Sequence, residues 1–430
     1  MPLWLDHTQS DFEAAFTRLL NAKRDQAQDV DQVVHSIIAD VRRQGDQALF
    51  ALTKRFDRFD LNVDNLRVGA AEIAAAKNAV SKDAHEALRF AAARIEAFHS
   101  RQKPRDDFYT DGAGVTLGLR WTPIDAAGLY VPGGLAAYPS SVLMNAIPAR
   151  IAGVERIVAA TPAPGGRLNP LVLVAAELAG VHEIYRVGGA QAIAALAYGT
   201  PSLKPVDKIV GPGNAYVAAA KRQVFGTVGI ESIAGPSEVL IIADGHNDPA
   251  WIACDLLAQA EHDEAAQSIL ITDDASFGKA VAAAVDSELR TLARAPIARI
   301  SWEKHGAIIV IKTLADAPPL ADRLAAEHVQ IATRDPQALA ARVKHAGAIF
   351  LGAYTPEAVG DYVGGPNHVL PTERSARFSS GLGVIDFMKR TTMLGCSSEA
   401  LGILGPPAAT LADAEGLGAH ARSIRIRLNK

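Results

Sequence analysis

Glu327 and His328 stand side by side in the stretch AAEHVQIATRD. A carboxylate beside an imidazole can activate water and move protons near neutral pH. Three further clusters carry groups of the same kind: QAEH with Gln259 and His262, GDY with Asp361, and EGLGAH with Glu415 and His420. Gln259 and His262 are three apart near the end of an expected helix, so they share a face, where an amide oxygen and an imidazole can hold one metal. With Asp361 adding a carboxylate and His420 a second imidazole, the donor set would suit zinc, or manganese or cobalt in its place. Together the clusters offer a general base, a water-activating carboxylate and ligands for one divalent ion, so an enzyme is the leading expectation. Spacing alone does not group residues 259 and 420. At 327–328 it also leaves open a plainer alternative, a capping glutamate beside a solvent-facing histidine. For most of the twelve histidines, including His7, His35, His85, His99 and His345, a surface or hydrogen-bonded structural place is the better reading.

These residues need elements to carry them. Ser10 and Glu13 predict a capping box ahead of a helix with Phe12, Phe16 and Leu20 on one face. Val30, Val33, Val34, Ile37, Ile38 and Val41 predict a second helix that stops at Gly45, and alanine-rich helix is expected from about Ala70 to Arg101. Val115, Leu117 and Leu119 alternate as in a half-buried strand. From about residue 126 a strand, a glycine-rich loop and a helix repeat, and a second such series starts at EVLIIAD, with Asp248 as N-cap and Pro249 at the first helical position. Short apolar strands alternating with helices predict an α/β chain of two doubly wound domains with parallel sheets. From Leu382 onward this rhythm is lost, and a small helical appendage is expected.

The chain has 430 residues, 49% hydrophobic and 21% charged, with a net charge of −4, an ordinary globular mix large enough for more than one core. Acids and bases are interspersed, which argues against a nucleic-acid face or a polybasic membrane patch. No apolar run is long enough to span a bilayer, and MPLWLDHTQS has no basic leader region, so a cytoplasmic protein is expected. Cys254 and Cys396 form no CxxC pair and read as small buried hydrophobes.

No loop reads GxGxxG between a strand and a helix, and no GxxxxGK[ST] occurs. The chain instead has VPGG at 131–134, VGGAQA at 187–192 and VGPGN at 210–214. Glycines there let a ligand approach backbone N–H groups at helix N-termini, which suit phosphate. For any one loop, tight βα geometry is reason enough. Three together, with Tyr130, Gln191 and Asn214 at their mouths, favour a nucleotide-sized ligand.

The ordered motifs GLYVPGG, YPSSVLMNAIPARIAGV, VGGAQAIAALAYGT, VGPGN, AGPSEVLIIAD, LLAQAEHD, AAEHVQI, GPNHVLPT, ARFSSGLGVIDFMKR and AEGLGAHARS resemble the histidinol dehydrogenase family over nearly the whole chain. The resemblance implies oxidation of L-histidinol through histidinal to L-histidine with two NAD, as the last steps of histidine biosynthesis. It implies zinc held by Gln259, His262, Asp361 and His420, and Glu327 and His328 as the catalytic pair. The substrate contacts it implies are Ser237, His368 and Glu415, together with His328 and the zinc ligands, while Tyr130, Gln191 and Asn214 would contact NAD. It further implies two incomplete Rossmann-like domains, 26–126 with 238–381 and 127–237, flanked by a helical extension at 1–25. A C-terminal helical segment, 382–430, would cross to the partner of a homodimer. Two other readings remain: a paralogue oxidising another small alcohol such as a hydroxy-sulfonate, and a metal-stabilised binding protein without turnover. Glu415 with His420 favours histidinol over the first, and the intact Glu327-His328 pair beside nucleotide-type loops argues against the second.

Overall fold

Runs such as EVLIIA and QSILIT are apolar on both faces and must be covered on both. The computed structural model, which describes residues 1–22, 28–133, 138–233 and 235–428, places them in the middle of a parallel sheet. Gly134 of VPGG and Ala234 of AGPSEV lie outside the described residues. In chain order the strands are β1 Leu3–Asp6, β2 Asp107–Thr110, β3 Thr116–Pro123, β4 Ala126–Tyr130, β5 Arg156–Ala160, β6 Glu183–Tyr185, β7 Lys208–Val210, β8 Gly229–Ile230, β9 Glu238–Ala243, β10 Gln267–Thr272, β11 Ala307–Val310, β12 His328–Ala332, β13 Ala348–Leu351 and β14 Met388–Gly395. One parallel sheet has the order β6-β5-β4-β7-β8, a second has β1-β11-β10-β9-β12-β13, and β14-β3-β2 form a small antiparallel sheet. Both parallel sheets are doubly wound, as expected. The order in which strands are added reverses between β4 and β7 in the first and between β9 and β12 in the second.

Helices cover both faces of each parallel sheet. On the six-stranded sheet, Phe12, Phe16, Leu320 and Leu324 fill one side, and Ile252, Leu256, Phe277 and Trp302 fill the other. On the five-stranded sheet, the helices Gln28–Gln44 and Gly189–Tyr198 share one core, and Lys82–His99, Pro139–Ala152 and Pro170–Ala179 share the other. The packing therefore groups residues differently from the expected division: the helices between 28 and 99 cover the five-stranded sheet, not the six-stranded one.

Four local expectations differ from the structure. Residues 3–6 form strand β1, parallel to β11, before the first helix begins; that helix, Phe12–Asn21, is preceded by Asp11 with no side-chain cap in place of the expected Ser10. The alanine-rich stretch is two helices, Ala70–Ala79 and Lys82–His99, because Val80 turns extended and the Ser81 hydroxyl accepts from the Ala84 N–H at 3.3 Å to start the second. The C-terminal part is not purely helical: β14 pairs with β3 from Met388 opposite Pro123 to Gly395 opposite Thr116, before the helices Ser398–Ala414 and Gly418–Leu428. Cys254 and Cys396 are free thiols and exposed, not buried: Cys254 is on the outer side of its helix, and Cys396 follows the exposed strand β14. Asp248 does cap its helix, accepting from the Ala250 N–H at 2.9 Å with Pro249 next. Among the described residues no helix is long and apolar enough to cross a membrane.

Candidate functional site

The helix Ala317–Leu324 ends on Ala325, whose φ of 45° turns the chain sharply into β12. That turn puts Glu327 and His328 at the amino end of β12, beside the amino end of β9, with His328 opposite Val239. Both are buried. The Glu327 carboxylate accepts from the Glu238 N–H at 3.0 Å, and the Glu238 carboxylate accepts from the Glu327 N–H at 3.3 Å. His328 Nδ1 lies 3.0 Å from the Glu238 carbonyl oxygen. A carbonyl only accepts, so Nδ1 carries the hydrogen and Nε2 is left as the acceptor. Nε2 is buried with no hydrogen-bond partner among the described residues. The capping-glutamate alternative therefore fails for this pair.

Two carboxyls from the helix Glu357–Tyr362 close on the same ring. Glu357 Oε1 lies 3.5 Å from Nδ1 and Asp361 Oδ1 lies 3.7 Å from Nε2. Four apart on one helix, they share a face. Ligand-type atoms of His328, Glu357 and Asp361 lie within 4.8 Å of one another. Burial, then the charge of Asp361, pushes Glu357 well above the usual carboxyl range, and burial pushes Asp361 up to about 7. Burial pulls His328 down to about 3, so the ring stays neutral.

His368 adds a second imidazole. Its Nδ1 donates to the Asp361 carbonyl at 2.9 Å and its Nε2 faces the Ser141 hydroxyl at 3.3 Å, while burial holds it down to about 4. Next to it, the Asn367 amide donates to the Met144 carbonyl at 2.6 Å. The GPNHVLPT segment thus ties the site of the six-stranded sheet to the helix Pro139–Ala152 of the other unit. Gln259, at the end of the helix Pro249–Ala260, is fully buried, and neither of its amide atoms has a hydrogen-bond partner among the described residues. His262 follows on the next turn, held by its own N–H to the Gln259 carbonyl at 3.1 Å and by Arg294, which donates to the Glu261 carbonyl at 2.8 Å. The His262 ring reaches solvent, yet the protein packed around it, and Arg294, keep its pKa low. Its charge would lower both His328 and His368, which places it in the same electrostatic neighbourhood. A buried amide with no partner, a neutral imidazole and a carboxylate are donors that fit a divalent ion. Ser237 is half-buried just before β9.

Glu415 and His420 are not in this cluster. Both are exposed on the hairpin of the two C-terminal helices, which pack chiefly on each other.

At the carboxyl edge of the five-stranded sheet the three glycine loops meet. The Tyr130 hydroxyl accepts from the Gly189 N–H at 3.0 Å, and burial pushes its phenol up to about 12. Gln191 is buried two residues later, while Asn214 is exposed and caps its helix by accepting from the Val217 N–H at 3.2 Å. Gly211 has φ +115° and passes so close to the Tyr130 carbonyl that a Cβ would lie 2.1 Å from it. A buried ion pair holds it: Lys221 donates to the Gly211 carbonyl at 3.2 Å and to Glu231 at 2.6 Å, and Glu231 accepts from the Gly211 N–H at 2.8 Å. Glu357, Glu238, Lys221 and Glu231 were not singled out from sequence. Only Glu357 left a signal, a carboxylate four residues before Asp361.

The sequence pattern of histidinol dehydrogenase matches residues 20–428. The histidinol dehydrogenase of Rhodospirillum rubrum is 63% identical over 431 residues, covering 100% of this chain and 99% of the relative. That of Ruegeria pomeroyi is 63% identical over 430 residues with the same coverage. The crystal structure of histidinol dehydrogenase from Elizabethkingia anophelis superposes with a TM-score of 0.94 at 35% identity, covering 99% of this chain and 98% of that one.

Proposed function

The chain belongs to the histidinol dehydrogenase family, and from that premise we propose that it oxidises L-histidinol through L-histidinal to L-histidine, reducing two NAD, as the last steps of histidine biosynthesis. The observation that carries this reading is the His328 ring, with Nδ1–H tied to a carbonyl and Nε2 left as a buried acceptor.

In the first step Nε2 of His328 takes the hydroxyl proton of the alcohol. In the second, Glu327 takes a proton from the water that adds to the aldehyde carbon, and His328 Nε2 then accepts the hydroxyl proton of the hydrate. When bound, NAD accepts the hydride of each oxidation, and zinc fixes the substrate's amine and imidazole. Gln259, His262 and Asp361 would hold the zinc, with His420 supplied by a second copy of the chain, which would also bring Glu415 to the substrate. Ser237 and His368 would contact the substrate, and Tyr130, Gln191 and Asn214 the NAD. The exposed hairpin supports a homodimer, because Glu415 and His420 stand open on two helices that pack chiefly on each other, where a second copy could meet them. We place the protein in the cytoplasm by its role in biosynthesis.

The test is the yield of NADH per molecule of L-histidinol, with zinc and excess NAD. Two NADH with free histidine is the expected result. Turnover only with another alcohol, such as a hydroxy-sulfonate, would overturn the substrate.

A further inference from the structure

We propose that Glu238 is a positioning residue that aims the Glu327 carboxylate for the aldehyde-hydrating step; this rests on the reading of Glu327 as the water-activating group. Glu238 opens β9, and every other residue of that strand, VLIIA, is apolar. A buried carboxylate at such a place costs solvation and is stable only where its oxygens are bonded. Here they are. One oxygen accepts from the Glu327 N–H at 3.3 Å and the other from the Glu373 N–H at 3.3 Å. The main chain of Glu238 completes the arrangement, with its N–H on the Glu327 carboxylate at 3.0 Å and its carbonyl on His328 Nδ1 at 3.0 Å. Any residue at 238 would supply those two main-chain groups. The carboxylate joins the backbone of Glu327 to the loop around Glu373.

That loop is itself held in place. The Thr372 hydroxyl accepts from the Gly235 N–H at 2.6 Å, and the Arg374 guanidinium donates to the Arg323 carbonyl at 3.0 Å, in the helix that leads to Glu327. Glu373 and Arg374 sit at φ 51° and 63°, and Ala325 at 45°; only Arg58 among the other described non-glycine residues is at positive φ. Backbone held in the left-handed region persists where its surroundings over-determine it. A Cβ on Gly235 would lie 2.4 Å from the Glu373 side chain, so the loop passes against the backbone just before Ser237. Behind Glu238 lies a cavity of about 240 Å³, bordered by Leu20, Gln267, Leu324 and Arg374.

The experiment uses the full-length zinc-loaded protein and measures two rates separately: histidinol oxidation with the aldehyde trapped as it forms, and oxidation of supplied histidinal. Glu238→Ala is expected to slow histidinal oxidation about 10- to 100-fold, the usual cost of removing a group that orients a site residue, with the first step changed far less. Glu238→Gln keeps one acceptor oxygen and is expected to recover part of the loss, with zinc content and KM for histidinal as in the parent. An unchanged histidinal rate in Glu238→Ala, or equal losses in both steps, would overturn the proposal; if Glu238→Ala does not fold, the same two rates in Glu238→Gln decide. Glu327→Gln runs alongside. If it also slows both steps equally, the reading of Glu327 falls and takes this proposal with it. If Glu327→Gln is selective and the Glu238 variants are not, only the role of Glu238 falls.

Discussion

At His328 the working nitrogen is chosen by a bond made on the other side of the ring. Because Nδ1 donates to the Glu238 carbonyl, only Nε2 can take a proton from substrate. His328→Asn should therefore slow both oxidations, by about 10²- to 10⁴-fold for a lost general base, with zinc content unchanged. Equal turnover in the variant would remove His328 from the chemistry. Asp361 sets a pH dependence of its own. Burial raises its pKa to about 7, so below that pH the folded protein holds a proton on an oxygen that a metal would need ionised, whereas His262, with its lowered pKa, stays neutral. Zinc affinity should then fall as pH drops below about 7, by about tenfold per unit for one displaced proton. Calorimetric titration near pH 6 in buffers of different ionisation heat should show proton release on binding, and none would mean that Asp361 is not a ligand. Most of these residues stood out in the sequence by type, but their grouping came from the family resemblance and not from spacing. Glu238 did not stand out, because a glutamate opening an apolar strand reads as a solvent-facing end, and only the neighbouring strand shows that it is enclosed.

Among the elements, the loop after β7 is the most tightly built. Lys221 and Glu231 are both nearly inaccessible and together bond the carbonyl and the N–H of Gly211. Replacing Lys221 with Met leaves a buried carboxylate without its counter-charge, which costs about 3–5 kcal/mol. Urea unfolding should register that loss, and KM for NAD should rise while KM for histidinol holds, since the loop lies at the other sheet. A KM for NAD equal to the parent's would separate this clamp from cofactor binding. The strand–loop–helix rhythm made these βα units readable, whereas β1 and β14 were not. LWLD is four residues long, and MKRTTMLG carries charge and threonine where a core strand carries valine. Each becomes a strand because a partner, β11 or β3, offers an open edge. That information is tertiary, as is the choice of sheet for the helices between 28 and 99.

At the scale of the whole molecule, a site completed by a second copy predicts complementation. Glu327→Gln and His420→Asn, each unable alone to carry histidinol through to histidine, should give about a quarter of parental histidine formation when refolded together in equal amounts, because half the dimers form with one intact site of two. No recovery would confine the site to one chain. The hairpin's helices were legible in the sequence, but its distance from the cluster was not, since nothing in EGLGAH states which copy it faces. The two sheets also differ in how they use their ends. The glycine loops crowd the carboxyl edge of one, as in ordinary doubly wound sheets, whereas Glu238, Glu327 and His328 stand at the amino edge of the other. The opposite rim of that sheet, residues 244–247, 273–274 and 333–335, lies a full strand length away, about 15 Å for five residues. In a saturation library, substitutions at that far rim should register as changes in melting temperature with turnover intact, and those at 238, 327, 328 and 361 as the reverse. An inserted tag or reporter would belong at the exposed positions of that rim, Gly245 and His246, and not at the buried Asp244 beside them.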